Sequence, residues 1–152
     1  MNDLIFVVED TDEDVEAIER AISRSHPHLH PEFFRSGTEV LARLAEPGGR
    51  RPWLMLLDLN MPGEDGLEVI RRLRGDSGLD DLTIVVFSSS EDEAETDACH
   101  AAGADSYIFK PLNFALFQSV LSRTLDYWRG RPRSGNVART VVPPPGESSA
   151  HT

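Results

Sequence analysis

The stretch WLMLLDLNMPGEDG, residues 53–66, decides the fold. Its first part, WLMLL (53–57), is a continuous apolar run of the kind found in parallel strands that are buried on both faces. The run ends on Asp58 and is followed at once by a turn rich in proline and glycine. Because a carboxylate beside a buried strand is costly to desolvate unless something pairs with it, Asp58 is either a turn cap or a functional group.

Other apolar runs and helix-period segments continue this pattern along the chain. The runs are LIFVV (4–8), EFFR (32–35), TIVVF (83–87) and SYIF (106–109), and helices are predicted near 12–25, 38–45, 67–74, 92–102 and 113–128. Five β–α units with right-handed crossovers predict an α/β fold with a parallel sheet between two helical layers. We expect one domain over 1–129 and a disordered tail over 130–152, where apolar side chains are too few to fold.

The composition excludes several classes of function. The net charge of −11 disfavours nucleic acid, whose phosphates would be repelled. A single cysteine, Cys99, rules out an intrachain disulfide and fits a reducing compartment. No signal-peptide pattern is visible, and no apolar stretch approaches the roughly 20 residues that span a bilayer. We therefore expect a cytoplasmic protein without nucleic-acid or membrane partners.

Four of the five predicted strands end on polar groups. These are Glu9 and Asp10, Asp58, Ser88, and Lys110, the only lysine beside fourteen arginines. In open α/β sheets the carboxyl ends of the strands share one edge, where ligands bind. Carboxylates gathered there repel each other unless a cation lies among them, and Mg²⁺ prefers such oxygen ligands beside a phosphate. The pattern predicts Mg²⁺-assisted phosphoryl transfer with Asp58 as the nucleophile.

Four motifs resemble the receiver domain of two-component response regulators, in order and spacing, over about residues 4–128. They are VVED (7–10), LLDLNMPGEDG (56–66), VVFSS (85–89) and GADSYIFKP (103–111). The resemblance implies a flavodoxin-like, doubly wound, five-stranded parallel sheet in the order 2-1-3-4-5 with five helices. It also implies that a sensor histidine kinase phosphorylates Asp58 and that the protein is no enzyme beyond its own phosphorylation and dephosphorylation.

The resemblance assigns roles to the site residues. The implied Mg²⁺ ligands are Asp10, Asp58, the backbone carbonyl of Asn60 and, through a metal-bound water, Glu9. Ser88 matches the switch hydroxyl, and Lys110 matches the phosphate-binding lysine. Tyr107 matches the aromatic residue that turns inward when the hydroxyl is drawn to the phosphate. The family often has aspartate where this chain has Glu9, which keeps the charge but lengthens the side chain.

A narrower similarity concerns the partners. The segments VEDTDEDVEAIERAI (8–22), SSS (88–90) and DYW (126–128) are similar to stand-alone receivers that serve bacterial phytochrome-type histidine kinases, although asparagine is common there at Thr11. No effector domain is expected after residue 128, so output would be by protein contact or onward phosphotransfer. The apolar face of the last helix is either deeply packed or a homodimer surface shared with the fourth helix and fifth strand.

Rival functions fit the sequence less well. Haloacid-dehalogenase-type phosphatases also use a strand-end aspartate, but they need a second aspartate at the position of Asn60. Flavin binding on the same fold needs a phosphate loop rich in hydroxyls and glycine, whereas EDTDED (9–14) would repel a phosphate. A receiver that has lost phosphorylation is disfavoured, because every group needed for it is present.

Overall fold

The computed structural model describes residues 2–131 and 140–142, and its core is a parallel sheet. The strands are β1 (Leu4–Val8), β2 (His30–Phe34), β3 (Leu54–Asp58), β4 (Thr83–Ser88), β5 (Ser106–Phe109) and β6 (Thr140–Val142). They lie in the order β2-β1-β3-β4-β5-β6, and every pairing is parallel. The predicted flavodoxin-like order 2-1-3-4-5 is confirmed, and the first five strands lie within two residues of their predicted bounds.

The sixth strand differs from the expectation of a five-stranded sheet followed by a disordered tail over 130–152. Thr140–Val142 pairs in parallel with Ser106–Ile108 of β5. The segment TVV is β-branched throughout and suits a strand, and without it β5 would be an open edge. The average composition of the tail concealed this local preference. The other predicted tail residues after 131 lie outside the described residues.

Five α-helices connect and cover the strands, and all begin and end within one residue of their predicted bounds. They are α1 (Asp12–Ser25), α2 (Gly37–Ala45), α3 (Gly66–Arg74), α4 (Glu93–Ala102) and α5 (Phe114–Trp128), and a short 3₁₀ turn, Ser77–Leu79, follows α3. A polar side chain caps each α-helix by accepting from a backbone N–H in its first turn. For α1 this residue is Thr11, whose hydroxyl accepts from the N–H of Asp14 at 3.3 Å. The turn sequences therefore set where each helix starts.

The helices form two layers, one on each face of the sheet. Side chains of α2, α3 and α4 pack on one face, and those of α1 and α5 pack on the other. The strands β1 and β3 are buried along their whole length, as their continuous apolar sequences predict. Because all the strands are parallel, their carboxyl ends meet at one rim, which is the only edge where the strand-end polar groups can gather.

The last helix, α5, is packed along one face and exposed along another. Val120, Leu121, Leu125 and Trp128 are buried, and the Trp128 indole N–H donates to the Ser106 hydroxyl at 2.7 Å. In contrast, Leu116 and Tyr127 are exposed. Deep packing therefore accounts for only part of the apolar stripe on this helix.

A membrane-spanning helix is not found in the described part of the chain, since none there is both long and apolar enough.

Candidate functional site

Three carboxylates meet at the rim. Glu9 and Asp10 follow β1, Asp58 ends β3, and one oxygen of each lies within 4.8 Å of the others. The neighbouring positions of β1 and β3 in the sheet bring these groups together. Glu9 is 0% exposed and Asp58 is 1% exposed, so their mutual repulsion is poorly screened by solvent.

The buried oxygens of this cluster are incompletely satisfied. Glu9 Oε1 accepts from the N–H groups of Asp10 (2.9 Å) and Thr11 (3.1 Å), but Glu9 Oε2 and Asp10 Oδ1 accept no hydrogen bond in the described structure. Burial, together with the neighbouring carboxylate of Asp58, raises the pKa of Glu9 to about 8. Clustered hard oxygen donors that lack hydrogen-bond donors fit a divalent cation such as Mg²⁺.

Asp58 has one oxygen in a turn and the other in the site. Its Oδ1 accepts from the N–H of Asn60 at 2.8 Å, as a turn cap does, while its Oδ2 lies 3.4 Å from Lys110 Nζ. The loop that follows is closely packed, because a Cβ on Gly66 would lie 2.4 Å from Leu59 Cδ2. The turn therefore fixes the carboxylate and leaves one oxygen facing the cation of the rim.

Lys110 follows β5 and faces three acids. Its Nζ lies 2.9 Å from Asp14 Oδ2, 3.4 Å from Asp58 Oδ2 and 3.7 Å from Glu9 Oε2. Burial alone would lower the pKa of Lys110, but the hydrogen bond to Asp14 and the charges of Asp58 and Glu9 outweigh it and raise the pKa. The side chain is therefore a charged ammonium at neutral pH, as recognition of a phosphoryl group requires.

Ser88 and Tyr107 are joined through Glu95 in the first turn of α4. The Ser88 hydroxyl donates to Glu95 Oε2 at 3.4 Å, and the Tyr107 hydroxyl donates to the same oxygen at 3.1 Å. Tyr107 also donates to the carbonyl of Ser90 at 2.8 Å, and its ring is turned inward with 2% exposure. Burial raises the pKa of Tyr107 to about 12, so its hydroxyl is a donor at neutral pH.

The predicted site residues are thus neighbours, and two further acids join them. Asn60, whose backbone carbonyl stays a predicted metal ligand, uses its side-chain Oδ1 to accept from Ser89 N at 2.7 Å and links the loops after β3 and β4. Sequence reasoning did not assign Asp14 or Glu95 to the site. The available signal was position: each lies in the first turn of a helix that leaves the rim.

Comparison with known proteins gives the family. Residues 5–122 match the response regulator receiver domain. The probable methanogenesis regulatory protein FilR2 of Methanothrix harundinacea is 32% identical over 138 residues, which are 89% of each chain.

Two solved structures resemble this one. The phosphorylated cyanobacterial phytochrome response regulator RcpA superposes with a TM-score of 0.79 at 28% identity, over 88% of this chain and 100% of that one. The Mn²⁺-bound form of response regulator Rcp1 gives 0.75 at 26% identity, over 85% and 96%. The predicted resemblance is confirmed: the chain belongs to the response regulator receiver domain family of two-component systems.

Proposed function

We propose that this protein is a stand-alone response regulator that accepts a phosphoryl group from a sensor histidine kinase on Asp58, with Mg²⁺ as cofactor, and signals through protein contacts. One observation carries the proposal. Asp58, 1% exposed, places Oδ2 3.4 Å from the Lys110 ammonium and lies in one cluster with Glu9 and Asp10. A nucleophile, a cation for the phosphoryl group and oxygen ligands for a metal are thus side by side.

The metal proposal rests on the unsatisfied carboxylate oxygens. Glu9, Asp10, Asp58 and the backbone carbonyl of Asn60 would hold the cation, with Glu9 acting through water. When bound, Mg²⁺ would neutralise the carboxylates and the charge on the transferring phosphoryl group. The solved Mn²⁺-bound form of Rcp1 supports a divalent cation in a relative.

The proposed chemistry is confined to the Asp58 side chain. A carboxylate oxygen attacks the phosphorus, the P–N bond to the kinase histidine breaks, and its electron pair stays on the imidazole nitrogen. Attack of water on the phosphorus later breaks the new P–O bond and returns phosphate and the free carboxylate. Lys110, charged and beside Oδ2, donates to the phosphoryl oxygens. The protein therefore changes only itself and turns over no separate substrate.

The proposed signal leaves the site through Ser88. Ser88 follows Phe87, the β4 residue that pairs with Asp58, and its contact with Glu95 is long at 3.4 Å, so a phosphoryl oxygen can draw the hydroxyl away. The loop after β4 then adjusts around Tyr107, whose ring is already turned inward here and does not need to move in, and this biases a surface formed by α4, β5 and α5. Shifting the ratio of the active to the inactive conformation of this surface from 1:99 to 99:1 takes about 5.5 kcal/mol of differential stabilisation.

The proposed partners are a bacteriophytochrome-type histidine kinase and a second copy of this chain. The kinase type is supported by the phytochrome response regulators among the similar structures. The homodimer through α4, β5 and α5 is supported by the exposed Leu116 and Tyr127 on α5. Because β6 pairs with β5, the helices would supply most of this surface. Sedimentation that shows only monomer at high concentration, phosphorylated or not, would contradict the dimer.

Labelling with acetyl phosphate tests the phosphoacceptor. We expect Asp58→Asn to abolish labelling in the presence of Mg²⁺, because the amide cannot form the acyl phosphate. The matched control, Asp97→Asn on the exposed side of α4, should label like the wild type. Excess EDTA should abolish wild-type labelling. Labelling retained by Asp58→Asn would refute the phosphoacceptor, and undiminished labelling in EDTA would refute the metal role.

A further inference from the structure

The single lysine of the chain lies closest to an acid outside the carboxylate cluster of Glu9, Asp10 and Asp58. Lys110 Nζ lies 2.9 Å from Asp14 Oδ2, whereas Asp58 Oδ2 is 3.4 Å away and Glu9 Oε2 is 3.7 Å away. Asp14 belongs to the first turn of α1, where its N–H is held by the Thr11 cap. Its position beside the lysine is therefore set by the start of a helix and not by a free loop.

Among the described residues, Lys110 is the only cation that pairs with the clustered carboxylates; within the cluster, Arg35 donates only to the backbone carbonyl of Asp10, at 3.3 Å. Arg35 instead pairs with Asp12. The carboxylates of Asp14, Asp58 and Glu9 thus share one ammonium, and the shortest of these contacts is the one to Asp14. Attraction of the ammonium to Asp14 therefore weakens its interaction with Asp58.

The lysine also has room to move between these acids. A cavity of about 340 Å³ borders Lys110 and Asp14 on the side of α1 and α5, and Phe87 and Phe117 line its inner wall. The ammonium lies 5.2 Å from the centroid of the Phe87 ring, within the range of a cation–π contact. The flexible lysine stem can therefore exchange between Asp14 and Asp58.

We propose that Asp14 is a positioning residue that holds Lys110 partly away from Asp58 and thereby slows phosphorylation of Asp58. The inference rests on the proposed function. Asp14 acts in two ways that have the same sign: it draws the ammonium toward α1, and its own negative charge repels an incoming anionic phosphoryl donor. When the charge of Asp14 is removed, Lys110 can interact more fully with Asp58 and with the phosphoryl oxygens.

Charge-removing variants test this role. In Mg²⁺ and acetyl phosphate, Asp14→Asn should label on Asp58 about two- to fivefold faster than the wild type, the range set by a partly exposed ion pair. The matched control is Glu13→Gln, which removes the same charge from the same helical turn but does not contact Lys110 in the described structure. Asp14→Glu, which keeps the charge, should retain the wild-type rate.

A second measurement reports the contact without any phosphorylation. Because Lys110 is the only lysine, ¹³Cε-lysine labelling gives one side-chain NMR signal for the whole chain. The signal should shift in Asp14→Asn and stay in place in Glu13→Gln, in protein without Mg²⁺ or phosphoryl donor. An unshifted signal in Asp14→Asn would overturn the inference.

The labelling experiment separates the two proposals. If the wild type labels on Asp58 but Asp14→Asn labels no faster than Glu13→Gln, the role of Asp14 is wrong and the proposed function stands. If the wild type does not label at all, the proposed function fails and takes the role of Asp14 with it.

Discussion

Two buried ionic groups lie at opposite ends of the sheet, and they differ in how fully they are paired. At the amino ends of β4 and β5, Arg74 donates to the Gly103 carbonyl (2.9 Å), the Leu79 carbonyl (3.3 Å) and Asp105 Oδ2 (2.8 Å). The same Asp105 oxygen accepts from the N–H of Ile84 at 2.9 Å. Several hydrogen bonds thus hold this cation and this carboxylate together.

At the carboxyl ends, one ammonium faces three carboxylates. Lys110 contacts Asp14, Asp58 and Glu9, and Glu9 Oε2 accepts no hydrogen bond in the described structure. The Arg74–Asp105 pair has a structural role, because it joins α3, β4 and the start of β5. The rim keeps capacity for another cation or a phosphoryl group. Incomplete pairing of buried charges, more than burial itself, distinguishes the site from the structural pair.

The largest effect is expected at the fully paired end. Asp105→Asn removes a buried counter-charge of Arg74, whose side chain is only 13% exposed, so the free energy of unfolding should fall by about 3 kcal/mol. Urea unfolding measures the loss, with Asp97→Asn as the exposed control. The folded fraction should still label with acetyl phosphate at the wild-type rate. A stability loss below about 1 kcal/mol, or a large change in labelling, would remove the contrast between the two ends.

A change in stability of the opposite sign is expected on substitution of Glu9. Its pKa is raised from 4.5 to about 8 in the folded protein, so between these pH values the folded state binds more protons than the unfolded state. The free energy of unfolding of the wild type should therefore fall as pH rises from about 5 to 8 in EDTA. Glu9→Gln lacks this loss, so it should be the more stable protein near pH 8, and its advantage should grow as pH rises across this range.

Urea unfolding at a series of pH values measures the Glu9 effect, and Mg²⁺ supplies its control. Added Mg²⁺ should stabilise the wild type more than Glu9→Gln, because the negative charge of ionised Glu9 attracts the cation through its bound water. A stability difference between the two proteins that does not change with pH would show that Glu9 is satisfied at the rim, as Asp105 is at the other end.

The sequence predicts the strand-end groups well because topology alone places them. Once five parallel strands are inferred, Glu9, Asp58 and Lys110 must share an edge, whatever their side-chain conformations. Asp14 and Glu95 are different, because their roles depend on how helices α1 and α4 are rotated over the rim and on which rotamers they adopt.

Two other features escape sequence reasoning because they join distant segments. Asp105 contacts Arg74 at a sequence separation of 31 residues, and β6 pairs with β5 at a separation of more than 30 residues. Apolar periodicity reports which face of an element is buried, but it does not report which polar groups or strand edges pair over such separations.

The shared acceptor Glu95 has a thermodynamic consequence. One carboxylate oxygen on α4 receives the hydroxyls of Ser88 and Tyr107. Under the proposed function, a protein bound to α4 would therefore change how readily Ser88 moves toward a phosphorylated Asp58. Coupling between two sites is reciprocal, so a partner that prefers the phosphorylated chain must stabilise the acyl phosphate by the same factor. Under the proposed function, the abundance of the downstream partner then helps to set how much of the regulator is phosphorylated.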